Sequence, residues 1–125
     1  VTTEWTLVGA NGSHFPIAAQ VEPGKANAPY LQANVDGKVD KFTSNVVLPT
    51  DNEIFAVALV SYAKKGDLDD RKLGMTIGTA GGDTEIQVPL ETAFAFKQTI
   101  FEQAPGGQDW NRNIVESSNF GIIAR

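Results

Sequence analysis

The chain contains no cysteine, a single histidine and a single methionine among its 125 residues. The lack of cysteine excludes a disulfide scaffold, a thiolate nucleophile and any zinc site with cysteine ligands. No apolar run approaches the roughly 18 to 20 residues that a membrane-spanning helix requires, so we expect no membrane partner. A hydrophobic content of 42% is typical of a folded chain rather than a disordered one. We therefore expect a single domain that covers residues 1–125.

Positive charge is also scarce. Fifteen Asp and Glu residues outnumber ten Lys and Arg residues, which gives a formal net charge of −5 and a pI near 4.7. This balance argues against nucleic-acid binding through bulk charge. The basic residues are concentrated in the middle of the chain, however, where one sheet face could still carry a local positive potential. Six of the ten lie there, namely Lys38, Lys41, Lys64, Lys65, Arg71 and Lys72.

Residues 1–88 predict short β-strands separated by tight turns. Asn11-Gly12 and Asp36-Gly37 are pairs that tolerate positive φ, and each lies between two strand-forming runs, which predicts two β-hairpins. The run from Ile54 to Val60 is apolar on both faces, which is typical of a central strand covered on both sides. The predicted strands are 4–8, 15–21, 30–35, 39–48, 53–65, 71–79 and 84–88.

After Pro89 the apolar residues recur at spacings of three and four. This spacing predicts an amphipathic helix over 90–103, which Pro105-Gly106-Gly107 ends. A second short helix is predicted over 109–116, with Asp109 as its N-cap. The sequence therefore predicts an α+β fold. An antiparallel sheet of six or seven strands, starting with an N-terminal hairpin, occupies 1–88, and one or two C-terminal helices occupy 89–125.

Groups with catalytic or metal-binding chemistry do not converge in the sequence. His14 has no second histidine or cysteine to join it, so we interpret it as a solvated turn residue. Asp67, Asp69 and Asp70 lack the closing glutamate of a calcium loop and are followed by Arg71, which indicates an acidic turn. We expect no enzyme activity, no catalytic residues, no metal and no cofactor.

The predicted elements leave apolar surface uncovered. A helix over 90–103 covers only part of a sheet of six or seven strands, and apolar residues after position 117 also require a surface. Uncovered apolar faces of this kind often mark oligomer interfaces, so we expect a homodimer. The candidate interface residues are Leu90, Phe94, Ile100, Phe101, Ile114 and Phe120.

This order of elements resembles that of the coat proteins of single-stranded RNA bacteriophages (levivirus-like). The resemblance is one of layout and spans nearly the whole chain: an N-terminal hairpin, a run of antiparallel strands, and two C-terminal helices. In that family each chain lays its helices over the sheet of a partner. The resemblance implies a viral coat subunit that dimerises through its sheet and helices and self-assembles into an icosahedral shell. Such a subunit is located in the virion, which assembles in the host cytoplasm.

The resemblance also implies a partner, because the inward sheet face of that family binds single-stranded genomic RNA. Polar side chains on two strands would face inward, and Tyr62 or Lys64 would add a stacking or phosphate contact. The implied RNA-binding residues are Lys41, Thr43, Asn45, Tyr62, Lys64, Lys72 and Thr76.

A β-rich binding module is the alternative interpretation, either a lectin-like domain or a decoration protein on a tailed-phage head. Trp5, Tyr30, Tyr62 and Trp110 would then form a platform on which a sugar stacks, although tryptophans so far apart in sequence are more typical of core or interface anchors. The assembly state separates the two hypotheses. A coat protein forms shells of many tens of subunits, whereas a lectin forms a monomer or a small ring.

Overall fold

The computed structural model describes residues 3–9, 12, 14, 28–43, 47–49 and 53–125. Within these residues the chain forms eight strands and one short helix. The fold is therefore mostly β. The elements are β1 (Thr6–Val8), β2 (Tyr30–Gln32), β3 (Val39–Thr43), β4 (Val57–Ala63), β5 (Lys72–Thr79), β6 (Gly82–Pro89), β7 (Ala95–Phe101), α1 (Arg112–Ser117) and β8 (Asn119–Ala124).

The main layer is a four-stranded antiparallel sheet with the strand order β3-β8-β5-β6. β5 and β6 form a hairpin in which Thr79 pairs with Gly82, and they correspond to the predicted strands 71–79 and 84–88. β8 lies between β3 and β5, so Phe120 is flanked by Phe42 on one side and by Ile77 on the other. The last strand in the chain is thus an interior strand of the sheet.

The second layer is the antiparallel pair β4–β7, whose register runs from Val57 opposite Phe101 to Ala63 opposite Ala95. Its inner face packs on the four-stranded sheet. The hydroxyls of Ser61 in β4 and Thr99 in β7 both donate to the sulfur of Met75 in β5, each at 3.7 Å. A separate antiparallel pair joins β1 to β2.

The hydrophobic core lies between these layers and includes Ile77, Phe101, Trp110 and Val115. The indole N–H of Trp110 donates to the backbone oxygen of Phe101 at 2.8 Å, so its one polar atom is satisfied inside the core. Ile77 is fully buried, and burial of a side chain of this size stabilises a fold by about 1.5–3 kcal/mol.

The helix α1 contributes Val115 to this core and is capped by Asn111. The Asn111 side chain accepts a hydrogen bond of 3.0 Å from the backbone N–H of Ile114, as an N-cap residue does. Glu116 accepts a hydrogen bond from the backbone N–H of Leu48 and another from Arg112, both 2.9 Å long. These contacts tie the helix to residues before β4.

Asp40 of β3 holds the N-terminal segment against the sheet. Its side chain is fully buried, and its Oδ1 accepts hydrogen bonds from the backbone N–H groups of Glu4 at 2.6 Å and Trp5 at 2.8 Å. Its Oδ2 accepts a third from Nδ1 of His14 at 2.5 Å. The Trp5 indole donates to the backbone oxygen of Lys38 at 3.0 Å. His14 is therefore a structural partner of a buried carboxylate, and its interpretation as a solvated turn residue was wrong.

The predicted α+β fold is wrong, because the residues expected to form the main helix form a strand. β7 occupies the centre of the predicted helix 90–103. Both faces of β7 carry apolar side chains: Phe101 faces the core and Phe96 and Ile100 face outward. When both faces of a strand carry apolar residues, some of those residues also lie three or four positions apart, as they would in an amphipathic helix. Phenylalanine, threonine and isoleucine, in contrast, favour strands.

The rest of 89–125 also differs from the predicted helical portion. The helix predicted over 109–116 is the shorter α1, capped by Asn111 rather than Asp109. The apolar residues after position 117, which lie outside both predicted helices, form β8. The C-terminal portion therefore supplies two strands and one short helix of the described structure.

Two predictions for the N-terminal half are also wrong. Asp36-Gly37 forms a turn, but the strands around it do not pair with each other, since β2 pairs with β1 and β3 with β8. β4 is not covered on both sides, because alternate side chains face solvent. The predicted strand 15–21, and with it the N-terminal hairpin, lies outside the described residues.

Candidate functional site

The most unusual surface of the described structure is the outer side of the β4–β7 pair. Ser61 and Thr99 point inward to Met75, so the alternation of a strand directs their neighbours away from the core. None of these outward side chains carries a charge at neutral pH, and several are large and apolar. We call this surface the outer face; it consists of Ala58, Val60, Tyr62, Phe96, Gln98 and Ile100.

Apolar side chains on the outer face are exposed to an unusual extent. Val60 is 60% exposed, Phe96 65% and Ile100 56%, and the adjoining Phe94 is 43% exposed. These four side chains present roughly 400 Å² of apolar surface if a whole phenylalanine counts for about 200 Å². A contiguous patch of this size is on the order of the largest patch of a typical monomer and often functions in binding.

An aromatic cluster forms one end of the outer face. The rings of Tyr62 and Phe94 are stacked, with centroids 5.0 Å apart and an interplanar angle of 6°. The ring of Phe96 is tilted by 52° to that of Tyr62 at 4.8 Å. The ammonium group of Lys64 lies 5.1 Å from the centroid of Phe94, within the range of a cation–π interaction. Lys64 thus adds a positive charge at the aromatic end.

The polar side of the four-stranded sheet is a second surface with a different character. Lys41, Thr76 and Glu85 lie in one row across it, on either side of Gly121. Lys41 forms an ion pair of 2.5 Å with the exposed Asp83. Arg125 forms one of 2.6 Å with Glu85. These cations are neutralised by carboxylates on the same side of the sheet.

The Glu85–Arg125 pair shifts the titration of both partners. The hydrogen bonds and charge of Arg125 lower the pKa of Glu85 below its ordinary value, and Glu85 raises the pKa of Arg125. The charges of Glu85 and Arg125 are therefore committed to each other.

Glycines allow these side chains to lie flat on the sheet. A Cβ atom added to Gly74 would be 2.5 Å from Oε2 of Glu85, and one added to Gly121 would be 2.7 Å from the backbone oxygen of Asp40. Thr76 is buried beneath this layer, and its hydroxyl has no hydrogen-bond partner in the described structure. The polar side is thus closely packed rather than open to a ligand.

The proposed RNA-binding residues fall on two different sheets. Lys41, Thr43, Lys72 and Thr76 share the polar side of the four-stranded sheet, where Lys41 is paired and Thr76 is buried. The structure does not bring them together with the remaining candidates. Tyr62 and Lys64 lie at the aromatic end of the β4–β7 pair, and Asn45 lies outside the described residues.

The proposed dimer-interface residues are divided between surface and core. Phe94 and Ile100 are exposed beside or on the outer face, whereas Phe101 is buried in the core. Ile114 and Phe120 pack against that core. Leu90 is half-buried, and its backbone N–H donates to the backbone oxygen of Arg71.

The aromatic residues considered for a sugar platform do not form one surface. Trp110 is buried, and Trp5 is tied to Lys38 through its indole N–H. Tyr30 is exposed on β2, while Tyr62 stacks on Phe94 at the other two-stranded sheet. The aromatic cluster around Tyr62 consists instead of phenylalanines that were not considered for this role.

The described part of the chain contains no group of three or more His, Asp or Glu residues arranged to hold a metal ion. In the acidic turn, the guanidinium group of Arg71 lies 2.9 Å from Asp67 and 3.1 Å from Asp69 and lowers the pKa of Asp67. No described helix is long and apolar enough to cross a bilayer.

Comparison with known proteins identifies no relative. No family model matches the chain. No curated protein matches it, and no solved structure does either. The geometry of the outer face is therefore the basis for interpreting the function.

Sequence reasoning did not single out Val60 or Phe96 as interface residues. The signal was present, because Phe94, Phe96 and Ile100 recur in period two with Gln98 between them. That alternation indicates a strand with an apolar side. It was obscured because Phe101, which faces the core, completes a helical spacing with the same residues.

Proposed function

We propose that the protein is a non-enzymatic structural subunit that self-assembles in the manner of a coat protein. The observation that carries this proposal is the uncharged outer face, on which Val60, Phe96 and Ile100 are each more than half exposed. Water solvates such a surface poorly, and large exposed apolar patches mark sites of protein association. Closed symmetric assemblies of identical chains are the commonest way in which soluble proteins cover such patches.

The mode of association differs from the one that the resemblance to RNA-phage coat proteins implies. Helices that cover the sheet of a partner are no part of the proposal, because residues 95–101 form β7. An RNA cargo stays a prediction from that resemblance. Two cations on the polar side of the sheet, Lys41 and Arg125, are paired with Asp83 and Glu85, which reduces the positive charge that this side offers to RNA.

Light scattering combined with electron microscopy of the same purified fraction tests the proposal. We expect closed particles that contain many copies of the chain. The ratio of absorbance at 260 and 280 nm would show whether such particles contain RNA. A monodisperse monomer at the highest soluble concentration would contradict the proposal.

The aromatic cluster favours one second candidate, a β-rich binding module of the lectin or phage-head decoration type. The rings of Phe94 and Phe96 each lie about 5 Å from the ring of Tyr62, which groups three aromatic rings at this end of the outer face. Such rings offer flat apolar area to a sugar or to the surface of a preformed head. A monomer or small ring that binds an oligosaccharide measurably, and loses that binding in Phe96→Ala, would support this candidate over self-assembly.

A further inference from the structure

We propose that two copies of this chain pair through their outer faces, with the strands of the two copies antiparallel. The two-fold axis would lie between the two faces, parallel to them and perpendicular to the strands. The inference rests on the proposed function and deepens it, because it names the partner as a second copy and fixes its orientation. Two features carry it: the area of the outer face and the charges at its ends.

The register of β4 and β7 arranges the outer face as a ladder of side-chain rows. Tyr62 lies opposite Phe96, Val60 opposite Gln98, and Ala58 opposite Ile100. Lys64 directly follows β4 and lies over the ring of Phe94 at one end of the ladder. Glu102 directly follows β7 at the other end and is exposed. The ladder is therefore uncharged along its length, with one positive charge at one end and one negative charge at the other.

The area of this ladder suits a second copy of the chain. Its exposed apolar side chains supply roughly 400 Å², which is about half of the ~800 Å² that each partner contributes to a standard interface. Apolar residues normally form the centre of such an interface and polar residues its rim. Because the whole chain carries a net charge of −5, two copies repel each other least where the contacting surface is uncharged.

The charges at the two ends select the antiparallel orientation. Lys64 and Glu102 are separated by about 27 Å along the strands, if each residue advances about 3.4 Å. An antiparallel arrangement places Lys64 of each copy near Glu102 of the other and forms both ion pairs at once. A parallel arrangement would instead place Lys64 against Lys64 and Glu102 against Glu102.

No ion pair involves Lys64 or Glu102 in the part of the chain that the structure describes, whereas Lys41, Arg71, Lys97, Arg112 and Arg125 each pair with a carboxylate there. Lys64 is held at the end of the ladder by its contact with the ring of Phe94. Both charges are thus available to a partner.

The sizes of the side chains favour the same orientation. In the antiparallel arrangement the bulky row of Tyr62 and Phe96 lies over the smaller row of Ala58 and Ile100 in the second copy. Val60 and Gln98 lie at the axis. Large residues over small ones allow two sheet faces to interdigitate at the usual separation of about 10 Å. A parallel arrangement would oppose the two aromatic rows and leave a gap beside each Ala58.

A charge-exchange experiment on the full chain tests the pairing. Self-association is measured by sedimentation equilibrium for the wild type, Lys64→Glu, Glu102→Lys and the double variant. If the wild type is already assembled, the same series is compared by the protein concentration at half assembly. Each single exchange is expected to weaken association about tenfold, because like charges then meet at both ends. The double variant is expected to return to within about threefold of the wild type, since the opposite charges meet again.

A second pair of variants tests the outer face itself. Phe96→Asp is expected to weaken association by about 100-fold or more, because it places a charge within the apolar part of the interface. Leu68→Asp is the matched control, since Leu68 is 91% exposed in the turn before β5 and lies off the ladder. It is expected to leave association unchanged. Circular dichroism and the urea midpoint of each variant establish that its fold is intact.

The outcomes separate the pairing from the proposed function. If the double exchange associates no better than the single exchanges, or if Phe96→Asp associates like the wild type, the pairing is wrong even where closed particles form. If dimers form and respond as expected but never build larger particles, the pairing stands and the coat function fails. A wild-type monomer at all concentrations overturns both and leaves a different protein as the occupant of the outer face.

Discussion

Replacement of Asp40 is expected to release the N-terminal segment and to destabilise the fold strongly. Asp40→Ala removes the acceptor of the Trp5 N–H and of His14 Nδ1, whereas the Glu4 N–H keeps a second acceptor, the backbone oxygen of Val39 at 3.0 Å. Each buried donor left without a partner costs about 1–3 kcal/mol, so we expect a loss of about 3–4 kcal/mol. That is a large share of the ~5–15 kcal/mol by which a native domain is stable. Urea unfolding at neutral pH, followed by circular dichroism, measures the free energy of unfolding directly.

Two further variants make this measurement specific. Asp40→Asn keeps Oδ1 as the acceptor for the backbone donors but replaces Oδ2 with an amide donor, which His14 Nδ1 accepts only if the imidazole changes tautomer. We therefore expect at most about half the effect. Asp83→Ala breaks the ion pair of an exposed aspartate with Lys41 and is expected to cost less than about 1 kcal/mol. If Asp40→Ala stayed within about 1 kcal/mol of the wild type, the reasoning that this carboxylate anchors residues 3–5 would be refuted.

Two other predictions concern the polar side of the sheet. Arg125 lowers the pKa of Glu85 below 4.5, so Glu85 stabilises the fold above the unfolded pKa, and this contribution is lost as the pH falls through the folded pKa. The difference in the free energy of unfolding between the wild type and Glu85→Gln, measured by urea titration, should therefore decrease below about pH 4.5. A difference that stays constant down to about pH 2 would contradict this. Gly121→Ala should cost about 1–3 kcal/mol, because its Cβ would meet two backbone or hydroxyl oxygens within 2.8 Å. At Gly66 an added Cβ would have no neighbour within 4 Å, so Gly66→Ala should change thermal stability little. If Gly66→Ala and Gly121→Ala had equal effects, this would count against close packing around Gly121.

The strands that follow tight turns could be predicted from the sequence, but their pairing could not. The β5–β6 hairpin is local: its alternation and its turn both lie within a stretch of about twenty residues. β3 pairs instead with β8, whose residues lie far along the chain. Alternation in a single strand shows which side is buried but carries no information about its neighbour. The hairpin expected around Asp36-Gly37 failed for this reason.

The candidate site was predictable only in part. Phe94 and Ile100 were assigned to an interface because they are apolar, and the structure places them at the surface. Phe101 was assigned with them on the basis of helical spacing, yet a strand directs it to the opposite side. A helix and a strand bury different residues of the same sequence, so the wrong secondary structure also led to the wrong assignment of exposed residues. The buried role of Asp40 required knowledge of contacts distant in sequence, which composition does not provide.

The interior position of β8 has a consequence for the synthesis of the protein. A ribosome delivers β3 long before it delivers β8, and until then β3 and β5 lack the strand that separates them. Until β8 is synthesised, β3 therefore remains unpaired or pairs wrongly, and β5 pairs only with β6. Only a chain extended through Ala124 closes the layer against which the inner side of the β4–β7 pair packs. Truncated or stalled chains would thus lack the scaffold that presents the outer face, and the order of synthesis would itself exclude incomplete subunits from an assembly.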